Sequence, residues 1–569
     1  MLKIEILSNK YQIKKIEPTD QQIAIIAEEK NCVVIACPGS GKTFVLSQKI
    51  RRILPELPEY KGIIAISYTN KASDELKKCL KDGLNKKGSF FGTMDSFYIS
   101  EIIRPFGKQI FKKANFEIQV VKVKDLSKTD QKSFERVFQD YHTDKLNLQQ
   151  KQFFESCFLK GQIILNSFER ENVLGNVDTV GIIANYIFDN SYACRRYLKA
   201  KYSHIMIDEY QDSGQEQHNL FIKLKNLGII SIAVGDARQS IFAFAGKNPK
   251  FLLSLPKEGS FIVYPLDINH RSHPSIVTYS LKLLKEEIDL PVFDEIRVFE
   301  KCVTGRESDI GVWLNDAIPY YCSKFNVEKY NEVAILTKSN RTGSFINENL
   351  DLDHKFFINT NLDTNTSLWA LVFTKLLEYL FDANKTKFYV IKDFLDTDKN
   401  ENKTRKIFGF IDILKEQIND IEHNFDLIVN SFILVSSEIF PQGKNTKAID
   451  NLKEVLSSKE LLNSYKPAQF NEIQIMTIHK SKGLEFDIVF HLDLYEWILP
   501  RREKDENGDY IFDDQDLNLH FVGVTRAKNC CVLCWSTRRT NYLDEIKQGN
   551  KSEFLSIKRL SLLRMVSEI

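Results

Sequence analysis

Apolar residues recur along this chain with two distinct periods. Residues 31–36 form a short β-branched run, after which Val45, Leu46, Ile50, Ile53 and Leu54 take the spacing of one helix face. Strand, glycine-containing loop and helix are therefore predicted in immediate succession. A second apolar strand, residues 205–207, stops at two acids, Asp208 and Glu209. "NEVAILTKSN" predicts another strand, and "NCCVLCWST" alternates like a buried one. Other stretches read helical: "SFERVFQDYH", "QQKQFFESCFLKGQIIL", "LWALVFTKLLEYLF" and "FGFIDILKEQINDIEHNF". There is no heptad array, solenoid repeat or low-complexity tract. No apolar run reaches the ~18 residues a membrane span needs, and "MLKIEILSNKYQIKK" is too polar for a signal peptide.

Size sharpens the picture. A chain of 569 residues exceeds one hydrophobic core, since single cores rarely pass ~250–300 residues, so at least two domains are expected. With 43% hydrophobic and 27% charged residues the composition is that of a globular protein. The net charge of +2 provides no global basic field, so a nucleic-acid partner must be met by a local groove. Ten cysteines are scattered through the chain. Cys531 and Cys534 have CxxC spacing, but they sit in the alternating strand and no second CxxC exists. They read as core residues rather than a metal or redox pair. A reduced, cytoplasmic protein is the expectation.

The loop "VVIACPGSGKTF" carries the first chemistry. Its amides and the following helix N-terminus direct partial positive charge at one point, which suits a β-phosphate. Lys42 is placed to reach the β- and γ-phosphates of a nucleotide and Thr43 to hold Mg²⁺. The strict GxxxxGK[ST] pattern wants glycine where Ala36 stands, but Gly39 and Gly41 remain where the backbone must come closest. The acids at the end of the second strand complement this loop. Asp208 would bind Mg²⁺ through water, and Glu209 would activate the attacking water.

With these residues in view, the sequence resembles the UvrD/Rep/PcrA-type helicases of superfamily 1 along nearly its whole length. "PTDQQIAII" resembles the family's Q motif, "IIAISYTNKASDEL" motif Ia, "GTMDSF" motif Ib, and "DEYQD" motif II. "VGDARQSIFAFAG" resembles motif III, "INHRS" motif IV, "IQIMTIHKSKGLEF" motif V and "HFVGVTRAK" motif VI. The resemblance implies an α/β fold of two RecA-like P-loop lobes, parallel sheets flanked by helices, with two mainly helical inserted subdomains. Lobe 1A would comprise residues 1–97 and 203–267, interrupted by insertion 1B at 98–202. Lobe 2A would comprise 268–362 and 471–569, interrupted by a reduced insertion 2B at 363–470.

The resemblance also assigns roles. ATP and Mg²⁺ are the implied ligands. Pro38, Gly39, Ser40, Gly41, Lys42 and Thr43 would cradle the phosphates, Gln21 would read the adenine edge, and Glu485 would bind the ribose. Gln239 would sense the γ-phosphate, and Arg271 and Arg526 would touch it from the opposite lobe. Phe44 and His270 stand where the family commonly has an arginine and a tyrosine, and are expected to sandwich the base. Tyr68, Phe242 and Phe244 would stack DNA bases, a sequence-tolerant contact. Thr69, Asn70, Thr93 and His479 would touch phosphates or sugars. Ala245, Leu517 and Asn518 depart from family arginines, which bears on coupling between ATP and DNA rather than on hydrolysis. The implied function is an ATP-dependent translocase and helicase on single-stranded DNA, or DNA with a single-stranded tail, running 3′ to 5′. A different class is a nucleotide- and DNA-responsive subunit that regulates a nuclease partner, as in compact UvrD-like proteins of antiphage systems such as Gabija. The short 2B region suits that class. A P-loop kinase needs none of motifs Ia, III, V or VI. No membrane partner is expected.

Overall fold

The computed structural model describes residues 17–67, 76, 85–111, 119–122, 127–138, 147–160, 162–165, 178–240, 248–284, 293–358, 360–365, 367–391, 394–395, 400–441, 443–504, 510–512 and 514–569. Two parallel sheets organise it. The first has six strands in the order Phe90–Gly92, Gly62–Ile66, Tyr202–Ile207, Ile230–Gly235, Cys32–Ala36, Ile262–Leu266. All of its pairings are parallel. Its central strands are apolar on both sides because both faces are covered, as parallel sheets require. One face packs against the helix Lys42–Glu56 through Val45, Leu46, Ile50 and Leu54. The other packs against helices that include Met94–Phe97 and Thr179–Asn190, so both ends of the segment between its Phe90–Gly92 and Tyr202–Ile207 strands share the core of the sheet.

Parallel pairing has one consequence that matters for the site. Every strand ends on the same edge, so the loop after Ala36, the acids after Ile207, Asp236 after Gly235, and Asp267 after Leu266 are gathered along one rim. The strand Ile230–Gly235 lies between the loop strand and the acid strand, which puts Asp236 between the two chemistries.

The second sheet has seven parallel strands, ordered His354–Phe356, Ile473–Thr477, Val333–Thr337, Phe486–His491, Ala527–Ser536, Val298–Val303, Met565–Val566. Between its strands His354–Phe356 and Ile473–Thr477 the chain runs through helices that include Leu368–Phe381, Glu401–Gln417, Ile421–Ile439 and Thr446–Ser457. These bury a core of their own around Trp369, Phe373, Ile411 and Phe432.

Two sequence readings meet the structure here. Cys530, Cys531 and Cys534 are fully buried in the strand Ala527–Ser536, and burial pushes their thiols up. Cys531 packs in one hydrophobic cluster of the second lobe and Cys530 and Cys534 in another, so the three are core residues. The stretch "QQKQFFESCFLKGQIIL", read as helical, is a helix only over Leu148–Leu159. Gln162–Leu165 is instead a strand paired in parallel with Gln119–Lys122. Ile163 and Ile164 are β-branched and favour the extended form.

Trp369 is 1% exposed, and its ring N–H donates to the Phe440 carbonyl at 3.1 Å. Trp369→Ala should destabilise the helical segment by about 3–5 kcal/mol, the usual cost of emptying an aromatic site. Urea unfolding followed by circular dichroism measures this.

Candidate active site

The loop closes tightly over the end of its strand. Ala36 is the last strand residue, and Cys37 follows with its N–H on the Leu266 carbonyl at 2.9 Å. Gly39 and Gly41 take left-handed backbone, φ +69° and +85°. A Cβ on Gly39 would lie 2.6 Å from Arg271 Cβ and 2.8 Å from Asn269 Oδ1, and one on Gly41 would lie 2.9 Å from Gln22 Nε2. These two glycines are therefore required by both conformation and close approach. The glycine missing from the strict pattern is not, because Ala36 sits in regular strand. Ser40 Oγ donates to the Cys37 carbonyl at 2.8 Å, and the His270 N–H donates to the Gly39 carbonyl at 3.0 Å. Gln22, buried, donates to the Ser40 carbonyl at 3.0 Å and props the loop from below.

The helix that starts at Lys42 meets the two acids directly. Lys42 Nζ lies 3.2 Å from Glu209 Oε1, and Thr43 Oγ donates to Asp208 Oδ2 at 3.1 Å. Glu209 sits in left-handed backbone at φ +55°, an uncommon state for a non-glycine residue and one found at functional sites. Burial, followed by the neighbouring Glu209 charge, raises Asp208 to about 7. Burial acts the same way on Glu209, but Lys42 and then Lys482 overcome it and hold Glu209 at about 2. The two acids are thus split by environment.

A hydrogen-bond chain leads from Glu209 to the second lobe. Gln211 donates to Glu209 and accepts from the Asp236 N–H at 2.9 Å. Asp236, fully buried, accepts from Gln239 Nε2 at 2.8 Å and from Arg238 Nε at 2.8 Å. Arg526 Nη2 then donates to Gln239 Oε1 at 3.3 Å. Arg526 is itself buried, and it also donates to the Val522 and Leu484 carbonyls and to Thr525 Oγ1. Burial, then the charge of Arg271, lowers it to about 9, which leaves it cationic at neutral pH. Three further bonds cross between the lobes. Lys482 reaches Asp212 at 2.7 Å and the Gln239 carbonyl at 3.0 Å, and Asn518 reaches the Ser240 carbonyl at 3.2 Å.

The residues singled out in the sequence fall into three groups. Lys42, Thr43, Asp208, Glu209, Gln239 and Arg526 come together as one bonded cluster. Arg271 and Glu485 are paired with each other at 2.6 Å on the second lobe. Gln21 binds Asp267 at 2.7 Å beside the loop, Phe44 packs against the core beneath the sheet, and His270 is exposed next to Gly39. Of the DNA residues, Thr93 accepts from the Ser96 N–H and caps the helix Met94–Phe97, and His479 is exposed. Tyr68, Thr69, Asn70, Phe242 and Phe244 lie outside the described residues, as does Ala245. Leu517 packs against the second lobe's core, and Asn518 makes the neutral contact just described. Sequence reasoning missed Gln22, Asp236 and Lys482. Each lies inside a motif already quoted, and the signal available was that membership alone.

Comparison with known proteins converges on one family. The UvrD/REP helicase N-terminal domain matches residues 18–259, and the UvrD-like helicase C-terminal domain matches residues 372–538. The Gabija protein GajB of Bacillus cereus (strain VD045) is 28% identical over 545 residues, covering 93% of this chain and 97% of that protein. The ATP-dependent DNA helicase Rep of Buchnera aphidicola subsp. Schizaphis graminum is 26% identical, covering 92% and 94%. The ATP-dependent DNA helicase PcrA of Staphylococcus epidermidis is 22% identical, covering 92% and 83%. With both sheets, the loop and the motif order in agreement, the chain belongs to the UvrD/Rep/PcrA-type helicases and is a DNA-dependent ATPase of that family.

Proposed function

We propose that the chain hydrolyses ATP between its two lobes and uses the cycle to draw single-stranded DNA 3′ to 5′. The observation that carries this reading is the bond from Arg526 to Gln239, the last link of a chain that starts at Glu209. It joins the chemistry of one lobe to the position of the other.

In this reading the loop amides and Lys42 hold the triphosphate, Gln21 faces the adenine between Phe44 and His270, and Glu485 holds the ribose. Thr43 and Asp208 offer two hard oxygen donors side by side, a donor set that suits Mg²⁺, which keeps most of its other ligands as water and phosphate. When bound, Mg²⁺ neutralises charge on the phosphate oxygens. Lys42 turns from Glu209 to the phosphates, and Glu209, relieved of its cation, gains the basicity to take a proton from water. Arg271 and Arg526 neutralise the charge that develops in phosphoryl transfer. Loss of the γ-phosphate removes what holds both arginines, and the lobes relax. Tyr68, Phe242 and Phe244 would grip bases, with Thr69, Asn70, Thr93 and His479 on the backbone, so that each relaxation advances the strand.

A second reading draws on the likeness to GajB across nearly all of both chains. Here the same ATPase serves as a DNA-responsive subunit that governs a nuclease partner. The helices Glu401–Gln417 and Ile421–Ile439 leave Ile413, Leu427 and Leu434 exposed, which suits a protein contact. Weak unwinding by the isolated chain and strong unwinding with a partner would favour it.

Glu209→Gln should keep ATP binding and abolish turnover, measured by nucleotide titration and steady-state ATPase. Wild-type turnover in that variant removes Glu209 from the chemistry. Arg526→Ala should lower kcat by at least ~10³, the scale of an arginine acting on phosphoryl transfer, with the fold checked by circular dichroism. Phe244→Ala should weaken single-strand binding by ~1–3 kcal/mol and blunt DNA-stimulated ATPase while sparing the basal rate. ATPase indifferent to single-stranded DNA, with this variant silent, would count against a motor.

A further inference from the structure

One buried cation takes no part in the scheme above. Lys49 lies on the helix Lys42–Glu56, two turns beyond Lys42, and is 1% exposed. Its ammonium donates to the carbonyls of Ile25 at 2.8 Å, Ile26 at 3.3 Å and Glu28. These are the last carbonyls of the helix Asp20–Ala27, where the helix leaves acceptors unsatisfied and its dipole is negative. Arg52, one turn further on, adds a bond from Nη1 to the Ile26 carbonyl at 2.9 Å and an ion pair with Glu29 at 2.8 Å. Tyr264 of the edge strand fixes the same corner from the other side, donating to Glu28 Oε2 at 2.6 Å.

Keeping a lysine charged in a lobe core is costly. Burial pushes its pKa down, and the cost is met only because its donors end on carbonyls. A core cavity of this size is filled more cheaply by methionine or leucine, so the charge has to be explained by what it holds. It holds a short helix whose other end carries Gln21, bonded to Asp267, and Gln22, bonded to the loop at Ser40. An eight-residue helix is marginal by itself and keeps its place only through such contacts.

We infer that Lys49 is a positioning residue that clamps the base-facing helix Asp20–Ala27 to the phosphate-loop helix and thereby sets Gln21 against the nucleotide base. The inference rests on the proposed role of Gln21 at the adenine. It carries a definite kinetic signature. Lys42 and Thr43 ride on the same helix as Lys49, so loss of the clamp leaves them in place. Gln21 rides on the other helix and is released; Gln22 goes with it, but the loop keeps its own bonds from Ser40 to the Cys37 carbonyl and from the His270 N–H to the Gly39 carbonyl. Binding of the base should therefore suffer while the chemical step does not.

Steady-state ATPase of the full chain with single-stranded DNA tests this. Lys49→Met should raise KM for ATP about tenfold, the effect of losing a hydrogen bond to a charged group, with kcat held within about twofold. Its preference for ATP over inosine triphosphate, which lacks the exocyclic amine, should shrink. Gln21→Ala should do the same, and the double variant should be within about twofold of the worse single one, because both act through one contact. Arg52→Met removes a partner of the same corner on a half-exposed residue, and should raise KM about threefold even if Lys49→Met does not fold. A fall in kcat at constant KM, equal losses for ATP and inosine triphosphate, additive losses in the double variant, or a KM unmoved in both single variants of the clamp would overturn the inference. If Gln21→Ala keeps the full preference while Lys49→Met loses it, the clamp stands and the base contact belongs to another residue of the helix.

Discussion

The cleft is organised around the compensation of one buried charge. Glu209 stands at the end of an apolar strand, in left-handed backbone, beside a second carboxylate. Its charge is compensated by a cation at 3.2 Å. Lys42 supplies that cation from a helix whose start is fixed by two glycines, and the glycines are demanded by the approach of Asn269, Arg271 and Gln22. The loop, the acid strand and the segment leading to the second lobe are thus parts of one electrostatic solution. Displacing any of them leaves a charge in low dielectric, which is far more expensive than any single hydrogen bond.

The same constraint explains why the lobes communicate. In the proposed cycle a triphosphate would compete with Glu209 for Lys42, and a bonded chain leads from Glu209 through Gln211, Asp236 and Gln239 to Arg526. Asp236 is the junction, buried and with its side-chain and main-chain groups engaged. Buried polar networks of this kind switch between discrete arrangements rather than deforming gradually.

Much of this was legible in the sequence, and the limits have physical causes. The loop, both acids and the alternation of sheet and helix follow from period and spacing, because parallel sheets have apolar strands and phosphate loops need glycine. Phe244 and its neighbours entered only through resemblance. The bond between Gln239 and Arg526 joins residues 287 positions apart, and no local pattern reports such a pairing. Asp236 looked like one more polar residue after a strand, since its importance comes from what the parallel sheet packs around it. The ladder between Gln119–Lys122 and Gln162–Leu165 escaped for the opposite reason. Its strands are four residues each, too short to show a period, and one follows directly on a helix.

Two of the bonds that fasten the second lobe to the first end on main-chain oxygens, those of Gln239 and Ser240. A carbonyl is offered by every residue. A substitution at Ser240 therefore leaves that bond available so long as the backbone keeps its course, whereas Gln239 also carries a side-chain bond, to Arg526, and is tied twice. On the other lobe the same fastening is made by the side chains of Lys482 and Asn518, so truncating either removes the bond itself.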